Sequence, residues 1–485
     1  MKTMMGSLAR CTHTGSRLFL YVALATGLTV PVLQAQTVWY GPNGDWFAGG
    51  NWSSDVPDSS DTATVAGGAG VVSITTAGAV ADRLMIDGAG VTLDGAGTLT
   101  VSNNSGADAL VLNGPGSAFV VSGGAQVNNT TLRVAQYTAG QTSSVTVSGT
   151  GSSLINTADT TIGGAGNGLL HINNGGSVTV GTSGTILTWV GNAAGSYGAI
   201  NVTGAGSSFH SAYAIVLGAS GTGEMTIADG ASVTVDSVKT VVIGNGAGSS
   251  GRLTIGAGGA AGTLNADYVS FRLGTTKELV FNHNETSYSF GTAVTSTAAG
   301  GKIIQQGTGK TVLTAAGNNF DGTVQIDAGT LAITSDLANA VVSVNVGGTF
   351  SPGDLSVESR TIEGLSLDGG TVRFDLGAGL TSDLITIGSG TAALNASTQF
   401  FFADAGYDTD GVYTLLSGAG VLGFDTGLLS YDSDIAGLTG AFSIVGNDLV
   451  FTATVVPEPG SALLMIAGLL GLGLVRCRAR AGILA

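Results

Sequence analysis

Residues 149–154 read Gly-Thr-Gly-Ser-Ser-Leu, and fifty-five positions later residues 204–209 read Gly-Ala-Gly-Ser-Ser-Phe. The agreement continues: residues 168–180 and 223–235 share a glycine, an alternation of apolar and polar residues, and Ser-Val-Thr-Val at the same offset. A looser copy, Gly-Pro-Gly-Ser-Ala-Phe, begins at Gly114. Inside these long units a shorter beat recurs. Gly168, Gly198, Gly223 and Gly251 each introduce alternating apolar residues such as Ile200 and Val202, or Leu253 and Ile255. Strict alternation over a few residues is the pattern of a strand with one buried face. Short strands, glycine turns and a fixed period, with no helical periodicity between them, predict an all-β parallel β-helix, or β-solenoid. Each coil would pair its backbone with the next around stacked Val, Ile, Leu and Ala. A string of β-sandwiches is the all-β alternative, and the regular 55-residue copy fits it less well. Asn pairs at Asn103 and Asn104, Asn128 and Asn129, Asn173 and Asn174, and Asn318 and Asn319 suit the turns of such a coil, because Asn tolerates left-handed backbone angles. Stacked Asn could also form hydrogen-bonded ladders.

Composition agrees with an ordered, glycine-punctuated β protein. The chain has 81 glycines in 485 residues but only 7 prolines, with 10 % charged residues and abundant Val, Ile, Leu and Thr, which argues against disorder. Its 16 basic residues face 32 acidic ones. Six of the basic residues lie near the two ends and all the acidic ones lie between, so the part from Gln36 to Pro459 carries a formal charge of −22. Such a body repels nucleic acid and anionic lipid.

Residues 302–333 contain Gly307, Gly309, Lys310, Thr311 and Leu313, then Gly317, Asn318, Asn319, Phe320, Asp321, Gly322 and Thr323, and finally Ala328, Gly329, Thr330 and Leu331. This run resembles the autotransporter-associated β-strand repeat. It departs from that pattern at Gln305, where Lys often stands, at Thr311 in place of the first Leu, and at Phe320 in place of Tyr. The resemblance implies one more coil, of three strands, and display at a cell surface. A self-transporting protein would end in an outer-membrane barrel of alternating segments, whereas the end of this chain is apolar and helical in pattern.

The two ends carry addresses. Lys2, Arg10 and Arg17 precede an apolar run over 18–33, and Ala35 supplies the small residue before a cut, the pattern of a secretory signal peptide. At the other end, Val456, Pro457, Glu458 and Pro459 lead into an uncharged run over 460–475, followed by Arg476, Arg478 and Arg480. Sixteen residues fall slightly short of the roughly 20 that span a bilayer squarely, and local thinning makes up the difference. The arginines would stay on the cytoplasmic side. This tail resembles the PEP-CTERM sorting signal of Gram-negative bacteria, with Pro457, Glu458 and Pro459 matching its motif. The resemblance implies recognition by an exosortase-type transpeptidase after passage through the Sec translocon, a transient membrane anchor, and then the cell surface or the medium. A plain transmembrane anchor is the alternative. Cys11 and Cys477 both lie in segments that processing removes, so the exported body has no thiol or disulfide.

The divisions expected are therefore a signal peptide over 1–35, an aromatic cap over 36–61, Gly-rich solenoid repeats over 62–300, the autotransporter-associated repeat over 301–337, a C-terminal β region over 338–455, and the sorting signal over 456–485. The cap holds Trp39, Trp46 and Trp52, three of four tryptophans. They suit closure of an open first coil better than a sugar-stacking surface. Asn51, Trp52 and Ser53 spell a glycosylation acceptor that a bacterial address sets aside. The C-terminal region reads as final coils with a cap or as a small sandwich.

Chemistry-bearing groups are sparse. His171, His210 and His283 lack metal-ligand spacing, and there is no nucleophile elbow. Asp404, Asp408 and Asp410 offer oxygen ligands without a full calcium-loop spacing, so a solvated acidic turn is the preferred reading. A β-helix polysaccharide lyase or glycosidase would need convergent carboxylates. Asp229, Asp236, Glu224 and Arg252 are the candidates by proximity in sequence. The expected function is a non-catalytic, cofactor-free structural or adhesive surface solenoid, with exopolysaccharide or neighbouring surface proteins as partners and no nucleic acid; an adhesin for one specific cell is a further alternative.

Overall fold

A computed structural model describes residues 35–455 apart from 183, 237–239 and 419. They form a stack of short strands, a β-solenoid of about 14 turns, with no α-helix among the described residues. Three parallel sheets run along the first two thirds. The first joins eleven strands from Gln36–Trp39 to Ala293–Ser296, and the third joins eight from Ala79–Ala81 to Thr263–Asn265. The second starts at Gly44–Asp45 and continues to the end of the rod.

Inward columns of the second sheet show why alternation folds this way. Val145, Leu170, Ile200, Met225, Leu253, Leu279 and Ile303 are successive register partners, all buried. A parallel ladder brings like positions of every coil together, so an apolar residue repeated once per coil becomes one continuous core.

The repeat unit differs from the 55-residue copy. Leu170 lies opposite Ile200 and Ile200 opposite Met225, so successive turns of 30 and 25 residues make up one long unit. The difference lies mainly between the third and first sheets, where seven residues separate Ser177–Val180 from Thr188–Val190 but three separate Ser208–Ser211 from Ile215–Leu217. The corner between the second and third sheets varies by one residue in the opposite sense, with Gly149-Thr-Gly-Ser152 and Gly204-Ala-Gly-Ser207 where the intervening turn has Asn174-Gly-Gly. Ser152 and Ser207 are buried and accept hydrogen bonds from Gly124 N and Gly175 N of the preceding turn, both at 3.0 Å. The copy at Gly114 uses the same device at a different corner, between the first and second sheets, where Gly88 N donates to Ser117 Oγ at 2.7 Å.

Gly168, Gly198, Gly223 and Gly251 fall in one column, in register across four turns. A second column, Gly163, Gly191, Gly218 and Gly244, turns the corner just before them with φ between 66° and 77°. The two columns touch: a Cβ on Gly251 would sit 2.5 Å from Leu217 O and 2.6 Å from Gly244 N, and those on Gly168, Gly198 and Gly223 would meet backbone in the same way. The column ends at Lys277, the register partner of Gly251. Its buried Nζ donates to Ala299 O at 2.6 Å, Arg272 O at 2.9 Å and Ala298 O at 3.3 Å. Burial pulls this ammonium pKa below its ordinary value.

Beyond residue 296 the cross-section changes. The first sheet stops, the third has already stopped at Thr263–Asn265, and a fourth sheet of seven strands begins at Tyr288–Phe290. Coils then hold two strands each, and partners Ile303, Val324 and Val342 mark turns of 21 and 18 residues. Residues 302–333 accordingly contribute to four strands, Gly301–Gln305, Lys310–Leu313, Gly322–Ile326 and Gly329–Ile333, rather than the three expected. The rod ends in antiparallel strands, Gly411–Gly418, Leu438–Val445 and Asp448–Val455, over an aromatic cluster in which Phe402 and Phe451 lie 4.4 Å apart. At the other end the three indoles Trp39, Trp46 and Trp52 are buried in edge-on contact at 5.0–5.2 Å.

The Asn pairs divide. Asn103 and Asn174 adopt φ of 53° in turns. Asn128 and Asn129 instead lie in strand Gln126–Asn129, where buried Asn129 Nδ2 donates to Asn156 Oδ1 of the next turn at 2.8 Å, a ladder of one rung.

Replacement of Gly223 by Ala places a methyl against backbone and should cost about 1–3 kcal/mol, read as a lowered urea midpoint. Gly50→Ala, where a Cβ meets open space, should leave the midpoint unchanged.

Candidate functional site

The stack separates most of the residues singled out by sequence. Glu224 and Arg252 are register partners on the outer face of the second sheet, followed in the same column by Glu278 and Lys302. Tyr197 OH donates to Glu224 Oε2 at 2.8 Å, and burial together with this carboxylate pushes the phenol up to about 12. Arg252 Nε lies 3.6 Å from Glu278 Oε2. Asp229 sits at the following corner with φ of 55°, and Asp236 lies past the third-sheet strand Ser232–Val235, 2.6 Å from His210 Nε2. The four lyase candidates thus occupy a sheet face, a corner and a further strand end, not one catalytic face.

His171 faces outward beside Asn201, His210 pairs with Asp236, and His283 is buried. Asp404 Oδ1 accepts from Gly406 N and Tyr407 N, Asp408 Oδ1 from Gly379 N and Thr409 Oγ1, and Asp410 Oδ1 from Tyr407 OH and Val455 N. Asp404 closes its own turn, whereas Asp408 and Asp410 also tie to Gly379 and Val455, distant in sequence. Among the described residues no group of three or more His, Cys, Asp or Glu is placed to hold a metal ion. Ala35 is the first described residue and is exposed, with Thr62 N donating to its carbonyl at 2.9 Å. Pro457, Glu458, Pro459, Arg476, Arg478 and Arg480 lie outside the described residues, as do the expected helix over 460–475 and residues 1–34.

Three surface features come from the stacking itself. Outward positions of the third sheet form a mostly polar column, Thr100, Asn128, Ile155, Thr179, His210, Thr234 and Asn265. Where that sheet stops, strand Thr263–Asn265 has no partner in Tyr288–Phe290, and a groove of about 540 Å³ opens between Thr234, Asp236, Asn265, Ser289 and Thr292. On the first sheet, Trp189, Val216 and Val242 are consecutive outward partners. Leu187 and Trp189 pack over Val216, Ala219 and Val242 in an apolar cluster separate from the core, lining a cleft of about 280 Å³ with Tyr213, Asn245 and Arg272. Alternation alone does not reveal this cluster. The signal was there in Ile215-Val-Leu217 and Val241-Val-Ile243, apolar runs without alternation, which on a strand make both faces apolar.

Two buried polar groupings also went unread. Gln305 occupies the inward column between Phe281 and Ile326. Its Oε1 accepts from Thr311 Oγ1 at 2.7 Å, its Nε2 donates to Gly307 O and Gly309 O, and Thr311 Oγ1 is 2.9 Å from His283 Nε2. All three side chains are buried, and burial lowers the His283 pKa. Gln305 and Thr311 are two of the departures from the autotransporter-associated pattern, and each compensates the other. Further on, buried Asp383 accepts from Glu358 N at 2.7 Å and Asp375 N at 2.9 Å, and Asp375 pairs with Arg373 Nη2 at 2.7 Å.

No protein-family profile matches the chain. Among curated proteins it is similar to the Adhesin BmaC autotransporter of Brucella suis biovar 1 (strain 1330), at 28 % identity over 286 residues, covering 45 % of this chain and 8 % of that protein. The chain thus spans less than a tenth of the length of that relative.

Burial drives the Asp383 carboxyl up to about 7 from its ordinary 3.8, against two backbone amides that favour its ionised form. Between those values the folded protein holds a proton that the unfolded chain has released. The stabilisation is complete below pH 3.8 and is lost as pH rises through about 7. Wild type should therefore lose unfolding midpoint between pH 5 and pH 8, and Asp383→Asn should lose less. Parallel pH curves for the two proteins would mean that Asp383 is ionised throughout.

Proposed function

We propose that this protein is a surface or extracellular-matrix solenoid of a Gram-negative bacterium, sorted by its tail and structural or adhesive in role. The Sec translocon exports it and cleavage follows Ala35. The apolar segment over 460–475 holds it briefly in the inner membrane, and an exosortase-type transpeptidase acts at Pro457, Glu458 and Pro459. The observation that carries the reading is the β-solenoid itself, about 14 turns of short parallel strands with a mostly polar outward column on its third sheet, a scaffold suited to repetitive contacts at a surface.

Similarity to a segment of an adhesin autotransporter supports surface display. About 14 turns at roughly 4.8 Å each give a spacer on the order of 65 Å long. Its outward Thr, Asn and Ser columns offer many weak hydrogen bonds to exopolysaccharide or to neighbouring surface proteins. We read the role as non-catalytic.

Mass spectrometry of the C-terminal peptide from surface and medium fractions of the native host should find an end at or near residues 457–459. Intact 476–485 recovered in inner-membrane fractions alone would make the tail a plain anchor. Incubation with polysaccharide should leave chain length and viscosity unchanged; a fall in either would favour a lyase or glycosidase.

A further inference from the structure

We infer that the cleft on the outer face of the first sheet is a binding subsite for one neutral pyranose ring of a polysaccharide, with Trp189 as its stacking platform. The inference deepens the matrix reading and rests on it. Outward positions along this sheet are elsewhere polar or mixed, including Arg133, Thr161, Ser270 and Thr295, but at Trp189, Val216 and Val242 three consecutive turns are apolar. This cluster is outside the core and contributes nothing to it.

The chemistry around the platform suits a sugar. Pyranose rings present an apolar face of C–H groups and an equator of hydroxyls, so they need an aromatic or aliphatic floor with directional donors and acceptors at its rim. Here half-buried Trp189 and Leu187 form the floor over buried Val216 and Val242, and Tyr213, Asn245 and Arg272 stand at the rim. Arg272 Nη1 donates to Asn245 Oδ1 at 3.1 Å, which fixes the planar fork beside the floor. The volume, about 280 Å³, falls below the roughly 300–1,000 Å³ of pockets that enclose drug-sized ligands, so it takes one ring of a longer chain. A macromolecular protein partner would need about 800 Å² of surface on each side, far more than this cleft offers. A polyanionic glycan would meet a body of formal charge −22. A cationic ring would meet the Arg272 guanidinium at the rim, which leaves the neutral class.

The protein contains its own reporter. Trp39, Trp46 and Trp52 are at most 2 % exposed, whereas Trp189 is half-buried at the surface, so collisional quenching by acrylamide reads Trp189. With the full-length chain in a sugar-free detergent, neutral cello-, laminari- and galacto-oligosaccharides and, separately, oligogalacturonate would be titrated at low and high salt. At least one neutral oligosaccharide should protect Trp189 from quenching, with an affinity indifferent to salt. By calorimetry Trp189→Ala should weaken that binding at least about tenfold, Arg272→Gln should weaken it several-fold, and Trp189→Phe should retain most of it. Unchanged β-rich circular dichroism would confirm that the variants fold. Neutral-glycan binding undiminished in the Ala and Gln variants would overturn this subsite while leaving a glycan-facing solenoid intact. Preferential, salt-sensitive binding of oligogalacturonate would overturn the neutral class. Absence of binding by every saccharide would overturn the subsite, and the C-terminal peptide result would still stand by itself.

Discussion

The close approach between two glycine columns sets the geometry of the rod. Gly163, Gly191, Gly218 and Gly244 turn the corner with left-handed φ, and Gly168, Gly198, Gly223 and Gly251 accept that corner against their own backbone. The corner amides of Gly191, Gly218 and Gly244 donate to Ile162 O, Val190 O and Leu217 O of the turn before at 2.8–2.9 Å. A side chain at any of these positions would push one coil off the next, and with it every hydrogen bond in the ladder above. In a stack where each coil touches only its neighbours, one misplaced corner interrupts the continuous core on both sides. Glycine is abundant here because the fold needs it at corners in every turn. Lys277 marks where the requirement lapses: its long side chain fills the lane and ends on three carbonyls.

That ending coincides with a change of cross-section. Around residues 263–322 the first and third sheets stop and a two-strand coil takes over. Gln305, Thr311 and His283 fill the joint with hydrogen bonds rather than with packing alone. A buried network is tolerable when its members satisfy one another, and the carbonyls of Gly307 and Gly309 complete this one. The same discontinuity produces the groove beside Asn265 and Ser289. Irregular surface on a solenoid thus follows from irregular coil content.

How much of this could be read from the residues depends on what a linear pattern encodes. Alternation gave the strands, since a period of two in Val178 and Val180, or Leu253 and Ile255, survives without knowledge of partners. The 55-residue copy stands out in the sequence because a turn of 30 residues is followed by one of 25, so a coil resembles its counterpart two turns on more than its neighbour. Gly114 was grouped with Gly149 because a Gly-x-Gly-Ser turn looks alike at any corner. Gln305 and Thr311 looked like mild departures from a pattern. Their pairing is visible only once residues 283, 305 and 311 share one interior. Trp189 lies apart from the three tryptophans clustered near the start, and the apolar runs at 215–217 and 241–243 carry no alternation that would separate an inward from an outward face. Their central residues point outward.

A rod built by repetition distributes contacts, and that bears on what kind of function it can hold. Catalysis asks for several groups within hydrogen-bond reach of one point, placed to fractions of an ångström. In a solenoid, residues near in sequence land on different faces, as Glu224, Asp229 and Asp236 do, while residues one turn apart meet at the strand-to-strand distance. Such a geometry favours repetition of weak, similar contacts along an axis. Weak contacts along a stiff scaffold gain by linkage, because each bound ring raises the local concentration of the next. A polysaccharide is itself a repeating chain, so a single shallow subsite beside polar columns can hold it without enclosing it. A body of formal charge −22 disfavours polyanionic chains, and the same charge keeps neighbouring rods apart at low salt.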